Sequence, residues 1–345
     1  MIKLAGVGFV LWVCLSLISE PAIPVRKEKA FDAYIQDSIP IEVELYFTSN
    51  HQPDYYKSHV KTPVCKDSLC YLVEIDLIWD LLGNFKNYEV PADKPLTKFD
   101  HEEFEENDHK KLKSILADKT SLLRDYEMKT LVDEDVRRAS GVVDATTGAT
   151  SATIKDAVVG GALYTTHTLW HIVNGEVAKK ILTHTEARFT DSLLVSMLQS
   201  SDYQYQYYAL NKVPESKRMA YIPQFVRLVA SGDAYVPFFA IEKIPAEAWK
   251  QPVTQLQLAE LLGRVSFEMQ NELLNKFKEM ELFTETISKL IQNHSKLTDK
   301  QLIKLLTILK DNKTKISENS KQVLENLLKN KNQQVVNLTS DILKN

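Results

Sequence analysis

The sequence predicts an α+β domain over residues 23–195 followed by an all-α domain over residues 196–345, with residues 1–22 standing before both as an export or anchoring segment. Three observations carry that reading. Apolar and polar residues alternate through Tyr71–Asp80 in the period of a half-buried strand. Beyond about residue 196 the helical period dominates and glycine becomes scarce. Within that second region one segment recurs after 31 residues, Asp202–Val213 against Asp233–Ile244. A chain of 345 residues, 44% hydrophobic and 26% charged, is long enough for two packed cores. Its 42 Lys and Arg against 46 Asp and Glu leave a net charge of −4, which gives no basic footprint for nucleic acid. Ten Gly and twelve Pro exclude a collagen-like or low-complexity chain, and three Cys exclude a disulfide-dense scaffold.

The chain opens with Met1-Ile2-Lys3, an apolar run from Leu4 to Ile18, and Ser19-Glu20-Pro21-Ala22, the three parts of a secretory signal. The run is shorter than the ~18–20 apolar residues of a spanning helix. An uncleaved anchor is the alternative, because no small-x-small cleavage site is visible. Cys14 belongs to the apolar core, since Val13 and Trp12 do not make a lipobox. The expected location is therefore exported, periplasmic or associated with the cell envelope. There Cys65 and Cys70 favour pairing as a small structural disulfide. A redox-active dithiol is the rival, although the pair lacks the Cys-x-x-Cys spacing that lowers a thiol pKa.

In the α+β region, Tyr71, Val73, Ile75, Leu77 and Trp79 fall on one face of the strand. Gly83-Asn84 makes a turn and Phe85–Val90 returns as a partner strand. After an acidic stretch, Asp108 is the expected N-cap of a helix over 109–117, with Leu112, Ile115 and Leu116 on one face. Residues 119–140 receive no element. The span from Ser151 to about Ile172 reads as one helix, with Gly160-Gly161 in its interior at a cost of roughly 1 kcal/mol each.

In the second region the recurring segments keep their aromatic, Ala, aliphatic and Lys positions in step. Later units lie near 265–292, 298–310 and 320–342. The pattern resembles a short, degenerate HEAT-like solenoid, in which each helical hairpin needs its neighbour to bury its apolar face. A plain helical bundle is the alternative. Tyr203, Tyr205, Tyr207 and Tyr208 align with Tyr235, Val236, Phe238 and Phe239 and are expected to be hairpin core rather than a stacking platform.

The most informative run is Val142-Val143-Asp144-Ala145-Thr146-Thr147-Gly148-Ala149-Thr150-Ser151. The pattern Asp-x-x-Ser/Thr-Gly-Ala-Thr resembles the flavinylation motif of the FMN-binding domain family, which includes the G subunit of the Rnf electron-transport complex and the C subunit of the sodium-translocating NADH:quinone reductase. Asp144, Thr147, Gly148, Ala149 and Thr150 fill every defined position. The resemblance implies FMN joined through its phosphate to the Thr150 hydroxyl by a flavin transferase, and an electron-transfer role with a redox partner protein, membrane-bound or not. Gly148 and Ala149 leave the hydroxyl uncrowded, and a helix start at Ser151 would offer free N–H groups to the phosphate. The run is neither a Walker loop nor a Rossmann fingerprint. Read without a cofactor, Thr147 or Ser151 is simply a helix cap.

Other groupings carry less. His101, Glu105, Asp108 and His109 have the residue types of a metal site but read equally as a solvated loop leading into a helix. His167 and His171, four apart, are a ligand pair, core histidines or neighbours of the flavin edge. Trp79, Tyr164 and Trp170 are candidates to pack near the flavin ring, and Thr97 or Lys98 to hydrogen-bond it; no metal is assigned. Two rivals stand beside the flavoprotein. One is a HEAT-like binding scaffold whose flavin domain has lost its cofactor; the other is a thiol-redox protein using Cys65 and Cys70.

Overall fold

A computed structural model of the chain describes residues 26–36, 38–64, 72–98, 101–128, 131 and 154–344. The export or anchoring segment, Cys65, Cys70, and the whole motif with Asp144, Thr147, Gly148, Ala149, Thr150 and Ser151 lie outside the described residues. The chain divides into two compact units, one ending at Arg188 and the other beginning at Phe189. The expected boundary at 195/196 falls inside a helix, Asp191–Gln199, whose buried face of Leu193, Leu194, Met197 and Leu198 belongs to the second unit.

In the first unit five strands form one antiparallel meander: β1 (Lys27–Ile35), β2 (Ile39–Phe47), β3 (Pro53–Thr62), β4 (Val73–Trp79) and β5 (Phe85–Glu89). Their alternation sorts the two faces. Ile41, Val43 and Leu45 on β2, Tyr56 and Val60 on β3, and Val73, Ile75, Leu77 and Trp79 on β4 are buried. The opposite face is charged and paired across strands, with Lys29 to Glu42 at 3.1 Å, Lys57 to Asp76 at 2.9 Å and Lys57 to Glu89 at 2.6 Å. The turn expected at Gly83 is present. Its φ of +73° and the Ala178 carbonyl, which any Cβ there would strike, explain why the position is glycine.

Three helices cover the apolar face: α1 (Glu106–Ala117) packs on β5, α2 (Leu163–Asn174) on β4 and α3 (Glu176–Ala187) on β1. Polar bonds pin them. Trp79 Nε1–H donates to the Val173 carbonyl at 2.9 Å, and Trp170 Nε1–H to the Asp118 carbonyl at 2.9 Å. The buried Tyr56 hydroxyl lies 2.9 Å from both His184 Nδ1 and Thr185 Oγ1.

Two helix starts differ from expectation. Asp108 is not the N-cap of α1 but sits one turn inside, where its carboxylate accepts from the Glu105 N–H at 3.0 Å; Glu105 is the cap. The helix expected from Ser151 begins only at Leu163. Gly160 and Gly161 form a turn ahead of it, because Gly161 has a φ of +75° and its bare Cα packs against the Lys98 side chain. No described helix therefore starts at Thr150, and the free N–H groups imagined there for a phosphate are not supplied by α2.

The second unit is all helical: α4 (Asp191–Gln199), α5 (Tyr203–Lys212), α6 (Ile222–Val229), α7 (Val236–Lys243), α8 (Ala246–Trp249), α9 (Pro252–Leu261), α10 (Phe267–Lys278), α11 (Thr284–Gln292), α12 (Asp299–Asp311), α13 (Glu318–Glu325) and α14 (Gln333–Leu343). Contacts run between neighbours, α4 with α5 and α6 with α7, and between alternate helices, α4 with α6, α5 with α7, α9 with α11, α10 with α12, α11 with α13 and α12 with α14. Polar bonds repeat the same step. Asn293 donates to the Ala259 carbonyl 34 residues back, Gln301 to the Phe267 carbonyl 34 back, Lys304 to Asn271 33 back, and Ser320 to Ser288 32 back. The aligned Asp202 and Asp233 do the same work, each accepting from backbone N–H groups at 2.8 Å at a helix start.

The tyrosine run corrects one expectation. Gln206, Ala209 and Leu210 form the buried face of α5, so Tyr203 turns outward, as do Tyr235 and Phe239 on the matching helix. Tyr207 stacks edge-on against Phe239, with ring centres 4.9 Å apart. Tyr203, Tyr235 and Phe239 dress the surface, whereas Tyr205, Tyr207, Tyr208 and Phe238 are half-buried and Val236 is fully buried.

Candidate functional site

The first unit holds a cavity of about 530 Å³ whose floor is α2. His167, Thr168, His171 and Ile172 come from that helix, while Ile35 and Val64 come from the ends of β1 and β3. Val177 enters from α3, and Met128 from the segment running back along α2. Ile35, Val64, Ile172 and Val177 are each nearly fully buried, and Tyr34, Gln36 and Glu176 also line the cavity, so its walls mix apolar and polar groups. A concave site with placed polar groups is a usual form of a small-molecule pocket.

Helical spacing places His167 over His171, ring centres 4.3 Å apart. Each ring is held by a carbonyl of the preceding segment. His167 Nε2–H donates to Tyr126 at 2.8 Å and His171 Nε2–H to Leu123 at 3.0 Å. A carbonyl oxygen only accepts, so Nε2 carries the hydrogen in both rings and, in a neutral ring, Nδ1 is left with a lone pair. Burial holds His167 below the ordinary imidazole range; the Tyr126 carbonyl opposes that shift and His171 adds to it. His167 Nδ1 and Thr168 Oγ1 are buried without a hydrogen-bond partner. Polar atoms in that position are uncommon, because each forfeits its hydration without replacing it.

The other sequence candidates are dispersed. Trp79 is fully buried and Trp170 nearly so, and both are core residues with their indole N–H groups bonded to backbone. Lys98 is occupied by Asp108 at 2.9 Å and Glu102 at 3.2 Å. His109 Nδ1 lies 2.7 Å from the Tyr88 hydroxyl, and Asp108 is committed to Lys98 and the α1 start, so the acidic stretch is a helix entry. Among the described residues no group of three His, Cys, Asp or Glu side chains could hold a metal ion. No described helix is long and apolar enough to cross a membrane.

Sequence reasoning found the histidine pair but not its surroundings. Met128 and the ends of β1 and β3 reach the cavity through pairing between distant segments, which no local period reports. Thr168 carried a weak signal, as a polar residue inside an otherwise apolar helix. Comparison with family models, curated proteins and solved structures finds no match for the chain.

Proposed function

We propose that the chain is an exported electron-transfer flavoprotein that carries FMN covalently through a phosphodiester to Thr150. The single observation that carries this reading is the run Asp144-x-x-Thr147-Gly148-Ala149-Thr150, with every defined position of the flavinylation motif filled. Two features of the first unit support it. Leu131 and Ile154, the described residues on either side of the motif segment, are both fully buried. The cavity over α2, about 530 Å³ and lined in part by His167, Thr168 and His171, has the size of a cofactor pocket.

When bound, the flavin supplies the one- and two-electron chemistry; the chain supplies attachment, orientation and the surroundings that set the potential. The Thr150 hydroxyl is the acceptor for a flavin transferase, and Gly148 and Ala149 keep the approach open. Asp144, Thr147 and Ser151 complete the recognised segment. The second unit reads as a HEAT-like array that docks a redox partner. Its stacked alternate helices and the repeated step of 32–34 residues in its polar bonds support that.

Intact mass and in-gel flavin fluorescence of the denatured protein, co-expressed with a flavin transferase, test the proposal. The expected result is a mass gain of one FMN less water, abolished by Thr150→Ala with the far-UV circular dichroism unchanged. An unmodified, non-fluorescent wild-type chain beside a modified positive control would overturn it.

A further inference from the structure

We propose that a cavity in the helical unit binds a small amphipathic carboxylate, its apolar body against Trp249, Met280 and Phe283 and its charge met by Lys250 and Lys276. The cavity holds about 790 Å³, within the range of small-molecule sites. It lies wholly in the second unit and stands independently of the flavin reading. Trp249 and Lys250 enter from the end of α8, and Lys276 from the last turn of α10. Residues 279–283 enter from the loop between α10 and α11, and Lys315 from the turn that follows α12.

A buried strut sets the walls. Gln255 is fully buried and donates to the carbonyls of Trp249 at 2.8 Å and Glu281 at 2.9 Å, while its side-chain oxygen accepts from the Phe283 N–H at 3.2 Å. One amide thus fixes two walls against each other. Lys315 fixes a third, donating to the Glu281 carboxylate at 2.6 Å and to the Leu282 carbonyl at 3.1 Å. Trp249 is set edge-on against fully buried Phe277, ring centres 6.0 Å apart. Met280 and Phe283 are only half-buried, and the unbranched thioether adapts to the shape of an apolar guest.

Charge selects the guest. Lys315 and Glu281 neutralise each other. Lys250 and Glu279 have no ion-pair partner among the described residues, and Lys276 reaches Glu272 only at 3.9 Å. Two loosely compensated lysines therefore face one free carboxylate. Among the three described tryptophans, Trp249 alone has an indole N–H without a hydrogen-bond partner, and that nitrogen is not sealed from solvent. The spare polar capacity of the lining is thus mainly that of donors, and a carboxylate only accepts. A cationic amphiphile would meet three lysines, and a neutral one would bring no counter-charge.

Decanoate, decan-1-ol and decyltrimethylammonium carry the same apolar chain and differ in charge, so they separate the two parts of the proposal. Each is titrated calorimetrically into the full-length protein, below the concentration at which it aggregates. One decanoate per chain is expected, bound about tenfold more tightly than the alcohol, the size of one charge-assisted hydrogen bond. The ammonium compound should bind more weakly than either, and added salt should narrow the gap between decanoate and the alcohol. Lys250→Gln combined with Lys276→Gln should bring decanoate down to the affinity of the alcohol and leave the alcohol unchanged. Ala246→Phe, at an exposed residue that lines the cavity, should block both with the far-UV circular dichroism unchanged. Equal affinity for decanoate and the alcohol on the wild-type chain would overturn the proposal without any variant having to fold. An absence of binding would overturn it as well, and so would binding that Ala246→Phe leaves untouched.

Discussion

The sheet unit and the helical unit both bury continuous apolar cores, yet they keep their parts in register by different means. In the sheet unit each tie is made once: Trp79 to Val173, Trp170 to Asp118, Tyr56 to the His184–Thr185 turn of α3. In the helical unit ties between layers share one step: Asn293 reaches Ala259 and Gln301 reaches Phe267, each 34 residues back. A unit of single ties can shape a pocket, because no symmetry asks its walls to resemble one another. A unit of repeated ties makes a surface whose parts are near-copies. The cavity over α2 stands in the first kind; the helical unit has one of its own, about 790 Å³, lined by residues that include Trp249, Met280, Phe283 and Lys315.

The largest effects should come from breaking one tie of each kind. Trp79→Ala empties a fully buried site and frees the Val173 carbonyl, and should cost about 3–5 kcal/mol. In the helical unit, fully buried Gln255 donates to the Trp249 and Glu281 carbonyls at 2.8 and 2.9 Å and accepts from Phe283 N–H at 3.2 Å. Gln255→Ala strands all three and should cost on the order of 3 kcal/mol. Hydrogen exchange read by segment should place each loss in its own unit. Losses spread evenly over the chain would break the comparison.

A middle-sized effect is set by pH. Burial lowers the affinity of His167 and His184 for a proton, with Arg188 adding to the effect at His184. A depressed imidazole favours the folded state above its unfolded pKa of about 6.5, and that contribution is lost as pH falls below it through the folded value. The helical unit has one histidine, His294, against seven in the first unit. Between pH 7.5 and 5 the sheet unit should therefore lose protection while the helical unit keeps it. His184→Gln should flatten part of that slope. A helical unit that loosens over the same interval would refute the assignment.

The smallest effect sharpens the repeat. Asp202→Ala and Asp233→Ala each remove the carboxylate that accepts at a helix start and should each cost about 1 kcal/mol. Urea midpoints should match to within a few tenths of that value. A large inequality would mean that the 31-residue alignment is not a structural equivalence.

What could be read in advance follows from where the information sits. β4, its turn at Gly83 and β5 were legible because a half-buried strand writes its own alternation and a left-handed turn asks for glycine. β2 carries the same signal in Ile39–Phe47, with Ile41, Val43, Leu45 and Phe47 inward. The α2 start is hidden because small residues read equally well as helix interior. Gly161 instead serves a turn dictated by its contact with Lys98, a neighbour 63 residues away in the chain. Tyr203 and Tyr235 escape the sequence for a related reason. Alignment shows that two helices are equivalent, not which of their faces is buried. The histidine pair was visible by spacing, but the tautomer that gives it a chemical role depends on two carbonyls of a segment to which no local pattern gave an element.

One property of the helical unit bears on how such a chain can change over time. Its interlayer bonds join partners 26–34 residues apart, about one layer. Duplication or loss of a whole layer would leave every remaining bond with a partner of the same kind. A gain or loss of a few residues within a layer would throw all the later ones out of step. The natural quantum of change for this half of the molecule is therefore the layer rather than the residue.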